Sequence, residues 1–193
     1  ERFAHRSGRP RLLVLGGSLG AQALNETVPQ ALARLPAEQR PEVRHQAGMK
    51  HIDAARAAYT RAEVTAQVDA FVDDMAAAYA WADLVVCRAG ALTVAELTAV
   101  GVGAVLVPFP FAVDDHQTGN AQYLVNAGAA LLIPQSELKV ERLTALLREL
   151  FSQPSRLLTM AEAARALARP DAARVVANEC LRLAGRVPLE NAA

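Results

Sequence analysis

The chain has 193 residues, and its 20 lysines and arginines balance its 20 aspartates and glutamates, so the formal net charge is zero. This length is compatible with one domain, and basic residues spread among acidic ones argue against a nucleic-acid partner. The longest apolar stretch, residues 99–113, contains two prolines and is shorter than the roughly 18 residues that a membrane-spanning helix needs. Charged residues also stand where a signal peptide would have its apolar core, so the sequence predicts a soluble, cytoplasmic protein.

Apolar runs alternate with helical patterns along the chain. In chain order, the predicted elements are strand 12–15, helix 21–35, strand 43–46, helix 52–59, strand 64–68, helix 75–81, strand 84–87, helix 93–100, strand 104–107, helix 116–126 and strand 130–133. Asp73 or Asp74 can cap the third helix, and Gly128 closes the fifth. Helical segments broken near Pro154 and Pro170 follow residue 140. This order predicts an α/β fold, a Rossmann-like, doubly wound, six-stranded parallel sheet with C-terminal helices.

The two cysteines stand in apolar patterns. Cys87 belongs to the predicted strand 84–87, and Cys180 to a helical segment near the C-terminus. Both are predicted to be buried, small hydrophobic residues rather than a disulfide, which favours a reducing compartment.

The loop that follows the first predicted strand is rich in glycine. In a doubly wound sheet, ligands bind beyond the carboxyl ends of the strands, so each loop there is a candidate site. Residues 16–21 read Gly-Gly-Ser-Leu-Gly-Ala, in which Gly17 lets the backbone approach a ligand and Ser18 adds a hydroxyl at a helix N-terminus. The spacing differs from that of a dinucleotide fingerprint, and Gln46 stands at the end of the second strand instead of an acidic residue. A simple turn capped by Ser18 is an equally good interpretation.

The loop after the fourth predicted strand contains Gly90, Thr93 and Glu96. A buried strand that breaks at a glycine and restarts as a helix leaves backbone N–H groups at the sheet edge, where phosphate binds. The two acceptor oxygens of Glu96 suit a sugar diol, and phosphate together with a diol indicates a nucleotide. Thr93 and Glu96 also have the spacing of a capping box, which would merely start the helix.

The loop after the third predicted strand carries Phe71, Val72 and Met75. Phe71 and Met75 can wall a flat base while the backbone at Val72 reads its edge, although such a pair is more often plain core.

The loop after the fifth predicted strand leads into a polar helix start. Asp115 can cap this helix, and His116, Gln117 and Asn120 offer hydrogen bonds to a sugar, although a histidine there is more often solvated or capping.

The order and the amino-acid sequences of these loops resemble those of the C-terminal, donor-binding lobe of the MurG family. These proteins are the N-acetylglucosaminyltransferases of peptidoglycan synthesis in glycosyltransferase family 28. The motifs that carry the resemblance are Gly-Gly-Ser-x-Gly-Ala at 16–21, Phe-Val-Asp-Asp-Met-Ala-Ala-Ala-Tyr-Ala at 71–80, Ala-Asp-Leu-Val-Val-Cys-Arg-Ala-Gly-Ala-Leu-Thr-Val-Ala-Glu at 82–96 and His-Gln-x-x-Asn-Ala at 116–121. The likeness runs from about Arg11 to at least Leu183.

The resemblance implies one lobe of an inverting glycosyltransferase of the GT-B fold. Such an enzyme moves GlcNAc from UDP-GlcNAc to the C4 hydroxyl of MurNAc in lipid I, giving lipid II, on the cytoplasmic face of the inner membrane, where the full-length enzyme is peripheral. Residues 1–10 would be a linker, 11–185 the UDP-GlcNAc-binding domain and 186–193 a tail. The general base, the lipid I site and the membrane-facing surface are expected on an N-terminal lobe, so this chain alone is expected to be inactive.

The resemblance also implies which residues bind the donor. The backbone at Val72, with Phe71 beside it, would read uracil; Met75 would lie close to the base; and Glu96 would hold the ribose hydroxyls. The remaining contacts would come from Gly17, Ser18 and the loop Ala91-Leu92-Thr93 to the diphosphate, and from His116, Gln117 and Asn120 to the GlcNAc and its phosphate. Many members have two glutamines where this chain has His116 and Gln117.

No cofactor or metal is predicted. Asp73-Asp74 and Asp114-Asp115 are adjacent pairs rather than Asp-x-Asp, and helix N-termini can stabilise the departing UDP without a cation. Two alternatives stay open at this point: a stand-alone UDP-GlcNAc-binding subunit of a split GlcNAc transferase, and a nicotinamide oxidoreductase lobe, which the spacing at 16–20 disfavours.

Overall fold

The computed structural model describes residues 6, 8–17, 21–112 and 115–186. Within these residues, six strands form one parallel sheet with the order β3-β2-β1-β4-β5-β6. The strands are β1 (Arg11–Leu15), β2 (Glu42–Gln46), β3 (Gln67–Asp69), β4 (Leu84–Cys87), β5 (Gly103–Leu106) and β6 (Ala130–Leu132). The predicted doubly wound parallel sheet is therefore confirmed.

Helices connect the strands and continue beyond the last one. They are α1 (Gln22–Ala33), α2 (Ile52–Arg61), α3 (Met75–Trp81), α4 (Ala91–Val100), α5 (His116–Asn126), α6 (Val140–Phe151), α7 (Pro154–Ala166) and α8 (Ala172–Leu183). Among the described residues, none of these helices is both long enough and apolar enough to cross a membrane.

The strand order reverses between β1 and β4. The chain runs outward from β1 through β2 to β3, returns to β4 on the other side of β1, and then runs outward again. Leu15 pairs with Cys87 at the carboxyl ends of these two strands. Two neighbouring strands whose connections diverge leave a crevice beyond their ends, which is the preferred ligand position in such sheets.

The core consists of two layers, one on each face of the sheet. Leu12 and Val14 face a cluster that includes residues of α1 and α6, whereas Leu13 and Leu15 face a cluster that includes residues of α3 and α4. Burial on both faces explains why the central strands are continuous apolar runs rather than alternating ones. Two fully packed faces give the sheet edge a rigid base for its loops.

The third strand differs from its prediction. It covers Gln67–Asp69 rather than 64–68, because the chain leaves α2 through a turn in which Glu63 has a φ of 52°. The backbone N–H of Val64 donates to the carbonyl of Tyr59, and the Val64 side chain is buried over the end of α2. Val64 is therefore an apolar, buried residue that fits the alternating pattern but does not belong to the strand.

The cysteine prediction is confirmed for Cys87 and wrong for Cys180. Cys87 is buried in the sheet, but Cys180 is exposed on α8, and neither forms a disulfide. No residue of α8 is buried, and Val175 and Val176 are both more than 60% exposed. The pattern around Cys180 thus predicts a helix correctly, but this helix packs weakly on the rest of the described chain.

Candidate functional site

A cavity of about 190 Å³ opens beyond the carboxyl ends of β1 and β4. It is called the β1–β4 cavity here, and it is lined by Leu15, Gly17, Gln46, Phe71, Val72, Met75, Tyr79, Cys87, Arg88, Thr93 and Glu96. Six of the predicted binding residues line it, namely Gly17, Phe71, Val72, Met75, Thr93 and Glu96. Ser18 lies outside the described residues.

The glycine turn after β1 is held by the side chain of Gln46. Gly17 has a φ of 79°, a conformation that favours glycine. Its N–H donates to Gln46 Oε1 at 3.0 Å, and Gln46 Nε2 donates to the Gly17 carbonyl at 3.0 Å and to the carbonyl of Ala70 at 3.4 Å. A single buried amide therefore joins the turn after β1 to the segment just before Phe71. In the sequence, Gln46 is singled out only because an acidic residue would stand there in a dinucleotide fingerprint.

The first turn of α4 borders the same cavity through Thr93. Gly90 is the N-cap in an extended conformation with no capping side chain, and the helix begins at Ala91. The first N–H groups of a helix lack acceptors inside it and carry the positive end of the helix dipole, so this end of α4 is suited to an anion. Thr93 and Glu96 are the third and sixth residues of the helix. The capping-box interpretation is therefore wrong, because the N-cap of the helix is Gly90 and not Thr93.

The Glu96 carboxylate is paired with a buried tyrosine. The hydroxyl of Tyr79 donates to Glu96 Oε2 at 2.8 Å, although Tyr79 itself is only 2% exposed. Burial raises the pKa of the Tyr79 hydroxyl, and the nearby Cys87 and Glu96 raise it further. Burial, followed by the charge of Glu96, also raises the pKa of the Cys87 thiol to about 12. At neutral pH both groups stay protonated, so Tyr79 is a hydrogen-bond donor and Cys87 is not a nucleophile.

The loop after β3 forms a partly apolar wall of the cavity. Phe71 is 63% exposed, so it is not the plain core residue that its spacing with Met75 favoured, whereas Val72 and Met75 pack against the core. Asp74, rather than Asp73, caps α3 by accepting the N–H of Ala77 at 2.8 Å. The cap fixes where the helix begins and therefore how Phe71 and Val72 are presented at the cavity.

The amide side chains of α5 hold the β4–α4 loop. Gln117 Oε1 accepts the N–H of Ala89 at 3.2 Å and the N–H of Phe109 at 3.0 Å, and Asn120 Nδ2 donates to the Ala89 carbonyl at 3.0 Å. His116 is exposed at the first position of α5. None of these three predicted residues lines the β1–β4 cavity, and neither do Ala91 and Leu92, which line a second cavity together with Glu96 and residues of α7.

Asp115 is the N-cap residue of α5, as predicted, but its side chain makes no capping bond. Its φ is 50°, and its carboxylate accepts the Thr118 hydroxyl at 2.7 Å instead of a backbone N–H of the first turn.

Arg88 supplies a cation at the cavity. Its guanidinium donates to the carbonyls of Val107 and Pro108 at 3.1 and 3.2 Å, to Gln135 Oε1 at 2.6 Å, and lies 5.5 Å from the ring centre of Phe109. Burial lowers the pKa of Arg88. The ordinary pKa of an arginine is so high that the guanidinium still stays charged. Within the described ranges, no group of three or more His, Cys, Asp or Glu side chains is placed to hold a metal ion.

Comparison with known proteins shows which family the chain belongs to. Residues 11–176 match the glycosyltransferase family 28 C-terminal domain, and the chain belongs to that family. It is 60% identical over 184 residues, or 95% of its length, to the UDP-N-acetylglucosamine–N-acetylmuramyl-(pentapeptide) pyrophosphoryl-undecaprenol N-acetylglucosamine transferase of Marinobacter nauticus, and 62% identical over 183 residues to the protein of the same name from Azoarcus sp.. It spans 51% of each relative.

A solved structure agrees with these relatives. The crystal structure of Acinetobacter baumannii MurG superposes with a TM-score of 0.84 at 45% identity, over 91% of this chain and 50% of that one. The nicotinamide oxidoreductase alternative is therefore wrong, and the resemblance drawn from the motifs is confirmed.

Proposed function

We propose that the β1–β4 cavity binds the UDP moiety of UDP-GlcNAc, and that this chain is the donor-binding lobe of the transferase that converts lipid I to lipid II. One observation carries the proposal. A glycine turn at Gly17, the N-terminus of α4 and the carboxylate of Glu96 meet around a single cavity at the point where the strand order reverses. The family and the names of the relatives give the reaction class.

The uracil would lie against the loop after β3. Phe71 offers an exposed ring, Met75 a flexible apolar side chain, and the backbone at Val72 the groups that pair with the base edge. Glu96 would accept hydrogen bonds from the two ribose hydroxyls. Its Oε2 already accepts one bond from Tyr79, and a carboxylate has room for about four, so a diol still finds acceptors.

The diphosphate would lie between the glycine turn and α4. Gly17 would contribute from one side, where the resemblance also expects Ser18. The backbone N–H groups of Ala91, Leu92 and Thr93, at the start of the helix, would contribute from the other. As the bond to GlcNAc breaks, negative charge grows on the UDP leaving group. Fixed N–H dipoles aimed at that charge stabilise it without reorganising, and they need no bound cation to do so.

The GlcNAc would lie beside the start of α5. The carbonyl oxygen of Gln117 is engaged by Ala89 and Phe109, so its Nε2 is the group that would donate to a sugar hydroxyl. His116 is exposed next to it, and Asn120 supports the loop between them and the cavity.

The remaining parts of the reaction belong to the rest of the transferase. Residues 11–185 would be the donor-binding domain, with 1–10 as a linker and 186–193 as a tail. Lipid I, the general base and the contact with the cytoplasmic face of the inner membrane are assigned to the other lobe. The chain by itself therefore binds donor but does not transfer it.

Calorimetry of this chain tests the proposal. We expect UDP and UDP-GlcNAc to bind in the presence of EDTA, and NADH and GDP-sugars not to bind. UDP-GalNAc, titrated in parallel, reports whether the isolated lobe reads the sugar as well as the nucleotide. Absence of UDP binding would refute the proposed site, and binding that disappears in EDTA and returns with magnesium would refute its metal-free form.

A further inference from the structure

We propose that Tyr79 is a positioning residue for ribose recognition: its buried hydroxyl fixes the Glu96 carboxylate, so that selection of UDP over 2′-deoxy-UDP depends on Tyr79. The inference deepens the proposed function and rests on it. Tyr79 belongs to none of the strand-end loops, and its ring packs beneath the cavity among the residues of the second core cluster.

The geometry couples a rigid donor to a mobile acceptor. Tyr79 is held in α3 with 2% of its surface exposed, whereas Glu96 is an exposed side chain on α4. An exposed glutamate loses several rotamers when it is fixed by a ligand, and that loss weakens binding. The bond of 2.8 Å between the Tyr79 hydroxyl and Glu96 Oε2 fixes the carboxylate before the ligand arrives.

The direction of this bond determines what the carboxylate can recognise. Tyr79 donates one proton to Oε2, which leaves Oε1 and the second lone pair of Oε2 as acceptors. Two acceptors held side by side match the two donors of a ribose diol, and a 2′-deoxyribose offers one donor fewer. A carboxylate free to rotate could instead turn toward water and would distinguish the two sugars less well.

Tyr59 provides a matched control. It is also a buried tyrosine, 3% exposed, and its hydroxyl also forms a side-chain hydrogen bond, with His45 Nδ1 at 2.9 Å. It lies on α2 in the other core cluster, on the opposite face of the sheet from Tyr79. Tyr59→Phe and Tyr79→Phe therefore delete the same buried atom from the same kind of site, but only one of them touches Glu96.

The experiment is a calorimetric titration of the wild-type chain, Tyr79→Phe and Tyr59→Phe with UDP and with 2′-deoxy-UDP, beside thermal melts of all three. We expect Tyr79→Phe to lower the affinity for UDP roughly three- to tenfold, the usual value of one hydrogen bond, and to change the affinity for 2′-deoxy-UDP less. The ratio of the two affinities then shrinks. Tyr59→Phe is expected to lower the melting temperature while keeping both affinities.

A double-mutant cycle adds a readout that a merely structural role would not move. If Tyr79 acts through Glu96, Tyr79→Phe costs less UDP affinity in the Glu96→Gln background than in the wild type. An unchanged affinity ratio in folded Tyr79→Phe, or an additive cycle, overturns this inference and leaves the UDP site standing. A wild-type chain that binds no UDP, or that binds UDP and 2′-deoxy-UDP equally, overturns the ribose assignment to Glu96 itself and this inference with it.

Discussion

The substitution Glu96→Gln separates a role in ribose binding from a role in helix stability. Because Glu96 is the sixth residue of α4 and does not cap it, the change should leave the melting temperature nearly unaltered. The amide oxygen of glutamine can still accept from Tyr79, and its NH2 group then faces the cavity where an acceptor is needed. Two charge-assisted bonds to the ribose become at most one neutral bond, a loss of roughly 2–3 kcal/mol, or about 30- to 150-fold in affinity.

Calorimetry with UDP measures this loss, and 2′-deoxy-UDP shows whether it comes from the ribose. Glu141→Gln is the matched control: Glu141 is an exposed helical glutamate on α6 that pairs with Arg34 far from the cavity, so the same change of charge there should leave UDP binding intact. If Glu96→Gln is folded and binds UDP as tightly as the wild type, the ribose role of Glu96 is wrong.

Three further predictions follow from other parts of the structure. Gln46→Leu should weaken UDP binding roughly tenfold, because it removes the two bonds that fix Gly17; calorimetry showing wild-type affinity in a folded variant would contradict this role of Gln46. Val72→Pro should weaken UDP binding more than Phe71→Leu, because proline removes the backbone N–H at the base edge; equal losses in the same titration argue against backbone reading. Burial lowers the pKa of His45 to about 3. Below pH 6.5 the unfolded chain therefore binds a proton that the folded chain does not bind, and the free energy of unfolding falls as the pH is lowered toward 3. At pH 4.5 this term is about 2–3 kcal/mol, and urea unfolding at pH 7 and 4.5 should show a smaller loss in His45→Gln; equal losses refute the assignment.

Local patterns predicted most of the fold. The bounds of β4, α3 and α5 agree with the sequence analysis, because each follows a strong local signal: a continuous apolar run, a capping aspartate or a closing glycine. The third strand was misplaced because Val64 is buried by a turn and not by the sheet. Hydrophobicity reports that a side chain is buried but not which element buries it.

The cavity was predicted less completely than the fold. The strand-end loops and six of their residues were found because parallel strands bring their carboxyl ends to one edge. Gln46, Tyr79 and Arg88 were missed as parts of the site. Gln46 meets Gly17 across 29 positions, Tyr79 meets Glu96 across 17, and Arg88 meets Gln135 across 47. Such pairs depend on strand order and helix packing, which a single sequence does not specify residue by residue.

One oxygen atom on α5 limits which residues can replace Gln117 during evolution. Gln117 Oε1 accepts two backbone N–H groups from two different loops, so a replacement at this position must bring an acceptor of the same reach or release both loops. The scaffold therefore constrains residue 117 through both loops at once, independently of any contact that this side chain makes with a ligand.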